Sequence, residues 1–82
     1  MNDSPVLELL SIHIVKITWF DNNVTKCRLF KLSDIEYVEM EYSNDTSCPF
    51  IVTLCHRSNE TKFKFWSKAN ADMFMLRVFT MI

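Results

Sequence analysis

Glycine is missing altogether from this 82-residue chain. Without it there can be no glycine-rich phosphate loop, no dinucleotide fingerprint and no nucleophile elbow, since each needs a residue lacking a side chain. Tight turns must instead use Asn and Asp, which tolerate left-handed backbone better than other residues. Proline is scarce, with only Pro5 and Pro49, and Pro49 lacks the N–H of a central ladder position, so it belongs at a strand start or edge. The three cysteines, Cys27, Cys48 and Cys55, lack the paired spacings of a zinc site, and His13 and His56 do not complete one. No apolar run approaches the roughly 20 residues of a membrane span, and the N-terminal residues do not read as a secretory leader. The expectation is a cytoplasmic protein with free thiols, no metal and no cofactor. A basic excess is missing too. The net charge of −1 argues against a generic binder of nucleic acid or anionic membrane.

What is present is apolar surface. An apolar fraction of 49% excludes a disordered chain. The length fits one domain, residues 1–82, near the lower limit for a single core. Such a core yields about 3–5 kcal/mol net, so assembly or binding is expected to contribute to its stability.

The C-terminal third organises the rest. Residues 61–66 alternate polar and apolar, with Phe63 and Phe65 facing in and Lys62, Lys64 and Trp66 facing out. Helical periodicity follows over residues 68–81, with Ser67 as N-cap. Ala71, Phe74, Met75, Val78, Phe79 and Ile82 share one arc, with Met81 at its edge, which predicts the cover of a sheet. A second, smaller apolar cluster of Ala69, Met73 and Leu76 lies on the opposite side beside Arg77 and Thr80. One reading is a small protein whose helix is poorly covered; the other, since a helix greasy on two faces is usually buried twice, makes the second cluster a candidate protein interface for a homodimer or a partner.

Upstream, strand patterns cover about residues 10–20, 24–32, 35–42 and 50–56. Residues 4–10 read either as a helical turn opened by Pro5 or as the start of a long first strand. In the first strand Leu10, Ile12 and Ile14 hold one parity while Val15, Ile17 and Trp19 hold the other. That phase change predicts a bulge near Ile14. In the second, Cys27 and Leu29 give way to Phe30 and Leu32, which predicts a second bulge or a strand end. The strand at 50–56 is apolar on both parities and reads as covered on both sides. Turns fall at Asp21-Asn22-Asn23, Asn44-Asp45 and Ser58-Asn59. The glycosylation sequons at Asn23, Asn44 and Asn59 sit in these turns, where Asn is needed anyway.

The fold class expected is α+β: a curved antiparallel meander of about five strands, a half-barrel capped by one C-terminal helix. The stretch 32–38, the later hairpin and the helix make this order superficially similar to the end of a pleckstrin-homology-like domain, in which a curved sheet is capped by a C-terminal helix. The chain carries fewer strands than the two-sheet pattern of that family.

Charge is segregated. Residues 33–48 hold Asp34, Glu36, Glu39, Glu41 and Asp45 with no base, while residues 56–68 hold Arg57, Lys62, Lys64 and Lys68 against Glu60. Cross-strand pairing of the acidic strand with Lys26 and Arg28 is one reading. An acidic face of Glu36, Glu39 and Glu41 that docks a basic partner is another. Glu39 and Glu41 lie about 7 Å apart on a solvent-facing parity, which lacks the pocket a catalytic carboxylate pair needs. Cys55 and His56 point to opposite faces of their strand. No residue is therefore assigned a catalytic role. Lys62, Lys64 and Trp66 could stack a base and meet phosphates, the pattern of a single-stranded nucleic-acid face, or could simply guard a strand edge. The leading expectation is a small non-enzymatic protein acting by protein–protein contact or as a homodimer. Accessory and inhibitory factors, including those of viruses and phages, have this style. No small-molecule substrate or membrane partner is indicated, and nucleic-acid binding is the alternative.

Overall fold

The computed structural model describes residues 5–44 and 47–82. Among these residues six antiparallel strands form two three-stranded sheets, and one helix follows. Sheet one holds β1 (Val6–Leu9), β2 (Ile14–Asp21) and β3 (Val24–Lys31), in that order. A single 3-10 turn, Leu32–Asp34, leads into sheet two, where β4 (Ile35–Tyr42), β5 (Phe50–His56) and β6 (Asn59–Phe65) lie side by side. The helix α1 spans Lys68–Met81.

The expected α+β class and C-terminal helix stand, while the single five-strand ribbon is replaced by two sheets. The strand expected over residues 10–20 begins only at Ile14, and of the two readings of residues 4–10 the described part takes the strand, as a separate element and not as the start of a longer one. Val6–Leu9 is a strand of its own that folds back on β2, placing Leu7 opposite Ile17 and Leu9 opposite Val15. The phase change near Ile14 is thus a hairpin corner, closed by Leu10 N–H donating to the Ile14 carbonyl at 2.9 Å. Leu10 and Ile12 imitated a strand face, yet both are exposed at this corner.

The β2–β3 register runs unbroken from Ile14 opposite Lys31 to Asp21 opposite Val24, so the parity change at Phe30 and Leu32 is the strand-end alternative: β3 stops at Lys31 and has no bulge. The irregularity lies in β4 between Ile35 and Tyr37. On β3, Cys27 and Leu29 face solvent, and Phe30 is its one buried residue.

Turn chemistry follows the missing glycine in one hairpin and departs from expectation in the other. Asn22 and Asn23 take φ of 51° and 64°, the left-handed pair that a two-residue hairpin needs. In the β5–β6 turn the left-handed residues are Arg57 and Ser58, at φ 53° and 66°, while Asn59 opens β6. Arg57 is held there from two sides. Its N–H donates to the Asp34 carbonyl at 3.2 Å, and its Nε donates to Asp34 Oδ2 at 2.7 Å. Of the turn expected at Asn44-Asp45, Asp45 lies outside the described residues, as does Thr46.

The core lies between the sheets and under the helix. Val15, Ile17 and Phe30 enter from sheet one; Val52, Leu54, Phe63 and Phe65 enter from sheet two; Ala71, Phe74 and Val78 enter from α1. As expected, β5 is covered on both sides, with Val52, Thr53, Leu54 and Cys55 all buried. Phe63 links the three layers. Its ring lies 4.9 Å from Trp19 of sheet one, edge to face, and 4.9 Å from Phe74 of the helix. Ser67 caps the helix as its position implied, its Oγ accepting from the Asn70 N–H at 3.3 Å.

Truncating Phe63 to Ala removes a buried ring shared by three layers and should cost about 3–5 kcal/mol. Ser67→Ala should cost about 1 kcal/mol. Urea unfolding of both variants measures the order. Equal costs would show that the Phe63 ring does not join the layers.

Candidate protein-interaction surface

Helix geometry decides which side of α1 is left over. Ala71, Phe74 and Val78 face the sheets and are buried, with Met75 and Met81 half-buried beside them. Phe79 and Ile82, expected in the covering arc, are instead 74% and 61% exposed. α1 packs chiefly on β4, β5 and β6, and the described residues leave that flank exposed. Met73 and Leu76 are 57% and 56% exposed, and Ala69 is exposed with them. At 100° per residue Ala69, Met73, Leu76 and Phe79 form a continuous stripe. Lys68 and Asp72, paired at 2.8 Å, rim one end, and the exposed Arg77 flanks the stripe. Sequence reasoning found Ala69, Met73, Leu76 and Arg77 but assigned Phe79 to the core, because periodicity places it midway between the two faces.

The acidic and basic candidates prove to be one face. In sheet two, Glu39 stands opposite Thr53, which stands opposite Lys62; Glu41 stands opposite Ile51, which stands opposite Lys64. The outer face of this sheet therefore carries both signs in cross-strand rows. Lys62 reaches across β5 to Glu41 at 3.6 Å and donates to Thr53 Oγ1 at 3.1 Å. Trp66 continues the same alternation beyond β6 and is exposed. Among the described residues Lys26 and Arg28 have partners other than the acidic strand: Lys26 pairs with Asp21 at 3.0 Å, and Arg28 Nη1 donates to Thr61 Oγ1 at 3.1 Å.

At one end of this face a thiol is shut in by polar groups. Cys55 Sγ donates to Glu36 Oε1 at 3.2 Å, and Tyr37 Oη donates to Glu60 Oε2 at 2.5 Å. Burial, aided by the Glu36 carboxylate, pushes the Cys55 thiol up, and the hydrogen bond to Glu60 pushes the Tyr37 phenol up. A thiol held protonated is a poor nucleophile. His56 is occupied elsewhere, its Nε2 accepting from the Lys31 N–H at 3.1 Å, and His13 lies exposed at the β1–β2 corner. Among the described residues no group of three His, Cys, Asp or Glu side chains is placed to hold a metal ion. No described helix is long and apolar enough to cross a membrane.

Comparison with known protein families, with curated proteins and with solved structures returned no match to this chain.

Cysteine environment sets an order of reactivity. A maleimide should label the exposed Cys27 first and Cys55 last, as read by peptide mapping at successive times. Equal labelling rates would contradict the enclosed thiol. The Arg57 guanidinium holds the Asp34 carboxyl below its ordinary value of 3.8. A depressed carboxylate contributes stability that is complete above the unfolded value and is lost as pH falls through the folded one. Asp34→Asn should therefore flatten the acid limb of the stability profile below pH 3.8. A parallel limb in the variant would count against the pair.

Proposed function

We propose that this chain is a non-enzymatic interaction protein, an accessory or inhibitory factor that docks a protein partner through the outer face of α1. The observation that carries this reading is the stripe of Ala69, Met73, Leu76 and Phe79, apolar, exposed and rimmed by Lys68, Asp72 and Arg77. Contiguous apolar surface with a charged rim is the usual mark of a docking site. Full burial of a Leu, Met or Phe side chain contributes about 1.5–3 kcal/mol. The stripe is thus an energetic centre for an interface, around which other contacts exclude water.

The mixed signs on sheet two favour the helix over the other candidates. An acidic face of Glu36, Glu39 and Glu41 is partly answered by Lys62, and Glu36 is engaged by Cys55. The same carboxylates lie among Lys62 and Lys64, which weakens phosphate attraction at a Lys62, Lys64 and Trp66 nucleic-acid face.

Replacing Met73 and Leu76 together with Glu tests the reading. Both side chains are exposed, so unfolding should shift little, within about 0.5 kcal/mol per site. Association should be lost: a dimer seen by light scattering becomes a monomer, or a bound partner no longer co-elutes. Association unchanged in the folded double variant would refute the proposal.

A further inference from the structure

The two sheets do not close on each other along one side, and a polar groove of about 530 Å³ opens there. One wall is the outer edge of β3, contributing the consecutive residues Arg28, Leu29 and Phe30; the other is the start of β6 with the β5–β6 turn. Among the described strands β3 pairs only with β2, and on its outer side the Lys31 N–H donates to His56 Nε2, which leaves the edge before Lys31 without a strand partner. An edge strand presents a row of unpaired N–H and C=O groups to whatever lies beside it.

The side chains lining the groove include two guanidiniums, Arg28 and Arg57, against one carboxylate, Glu60. Arg28 uses Nη1 on the Thr61 hydroxyl and has no carboxylate partner among the described residues. Arg57 uses Nε on Asp34, leaving its two terminal nitrogens available. His56 accepts at Nε2, so its proton is on Nδ1 and that nitrogen donates. In charge, the lining residues Arg28 and Arg57 stand against Glu60, two cations to one carboxylate, an excess of one. A monoanion balances that excess, whereas a dianion overshoots it beside Glu60. The left-handed backbone at Arg57, costly for a residue with a long side chain, keeps that guanidinium at the mouth of the groove.

We infer that this groove binds an extended acidic peptide segment, which adds its backbone to the free edge of β3 and sets one carboxylate on Arg28. Backbone pairing supplies affinity without regard to sequence, and the guanidinium–carboxylate pair selects the acidic side chain. The groove lies on β3 and β6 and its occupancy is independent of the helix stripe.

The test is a titration of the nitrogen-15-labelled protein, followed by amide chemical shifts. The probe is a pentapeptide, acetylated and amidated at its ends, with alternating valine and threonine around a central glutamate; a glutamine version serves as comparison. The glutamate peptide should shift the amides of residues 27–30 and bind about tenfold more tightly than the glutamine peptide, the factor expected for a charge-assisted bond. Arg28→Gln should abolish that difference, and Arg28→Lys should keep part of it. Met73→Glu/Leu76→Glu should bind the peptide as the unaltered protein does, which separates this site from the helix face. No shift on β3, equal affinity for the two peptides in the unaltered protein, or sodium acetate or inorganic phosphate matching the glutamate peptide would each overturn the inference.

Discussion

One aromatic ring holds the molecule together. Phe63 meets Trp19 of the first sheet and Phe74 of the helix, both at 4.9 Å, and Phe65 meets Phe74 from the neighbouring inward position at 5.5 Å. Aromatic pairs at these separations add about 0.5–1.5 kcal/mol to the area they bury. A small domain depends on such concentrated burial, because it buries a smaller fraction of its surface on folding than a large one does. The alternation of β6 fixes which residues point inward, so the same pattern that makes the strand also determines where the helix docks. Its docked side is then Ala71, Phe74 and Val78, and the described residues leave its other side exposed.

Lacking glycine, the fold bends the backbone with side chains in place, and the two hairpins do so differently. Asn22 and Asn23 suit left-handed backbone. Arg57 and Ser58 suit it poorly, at about 1–3 kcal/mol for a strained residue. The bonds from Arg57 to the carbonyl and carboxylate of Asp34 offset part of that cost and tie the β5–β6 turn to the 3-10 turn between the sheets. A local strain thereby fixes a long-range contact, and with it the mouth of the groove along β3.

Legibility in the sequence tracked how local each feature is. The helix, its Ser67 cap, the inward Phe63 and Phe65 and the doubly covered β5 all follow from period and neighbour chemistry, and all are seen. The split of the first strand was hidden because Leu10 and Ile12 carry a strand-like alternation while lying exposed in a corner. The division into two sheets was hidden because alternation records which way a side chain faces and not where a ladder ends. Charge segregation was visible, yet its partners were not, since Lys62 reaches Glu41 across an intervening strand. The Arg28 groove depends on two strand edges far apart in sequence, and no local pattern marks it.

What remains outside these contacts is the stripe of Ala69, Met73, Leu76 and Phe79, and the account turns on its being open to solvent in the free chain. Solvent relaxation of side-chain methyl signals by a soluble paramagnetic agent measures this directly in dilute protein. The methyl groups of Met73 and Leu76 should relax nearly as fast as those of the exposed Ile12 and far faster than those of the buried Val78. Protection of Met73 and Leu76 equal to that of Val78, at every concentration, would show the face already covered by its own chain and would contradict the account.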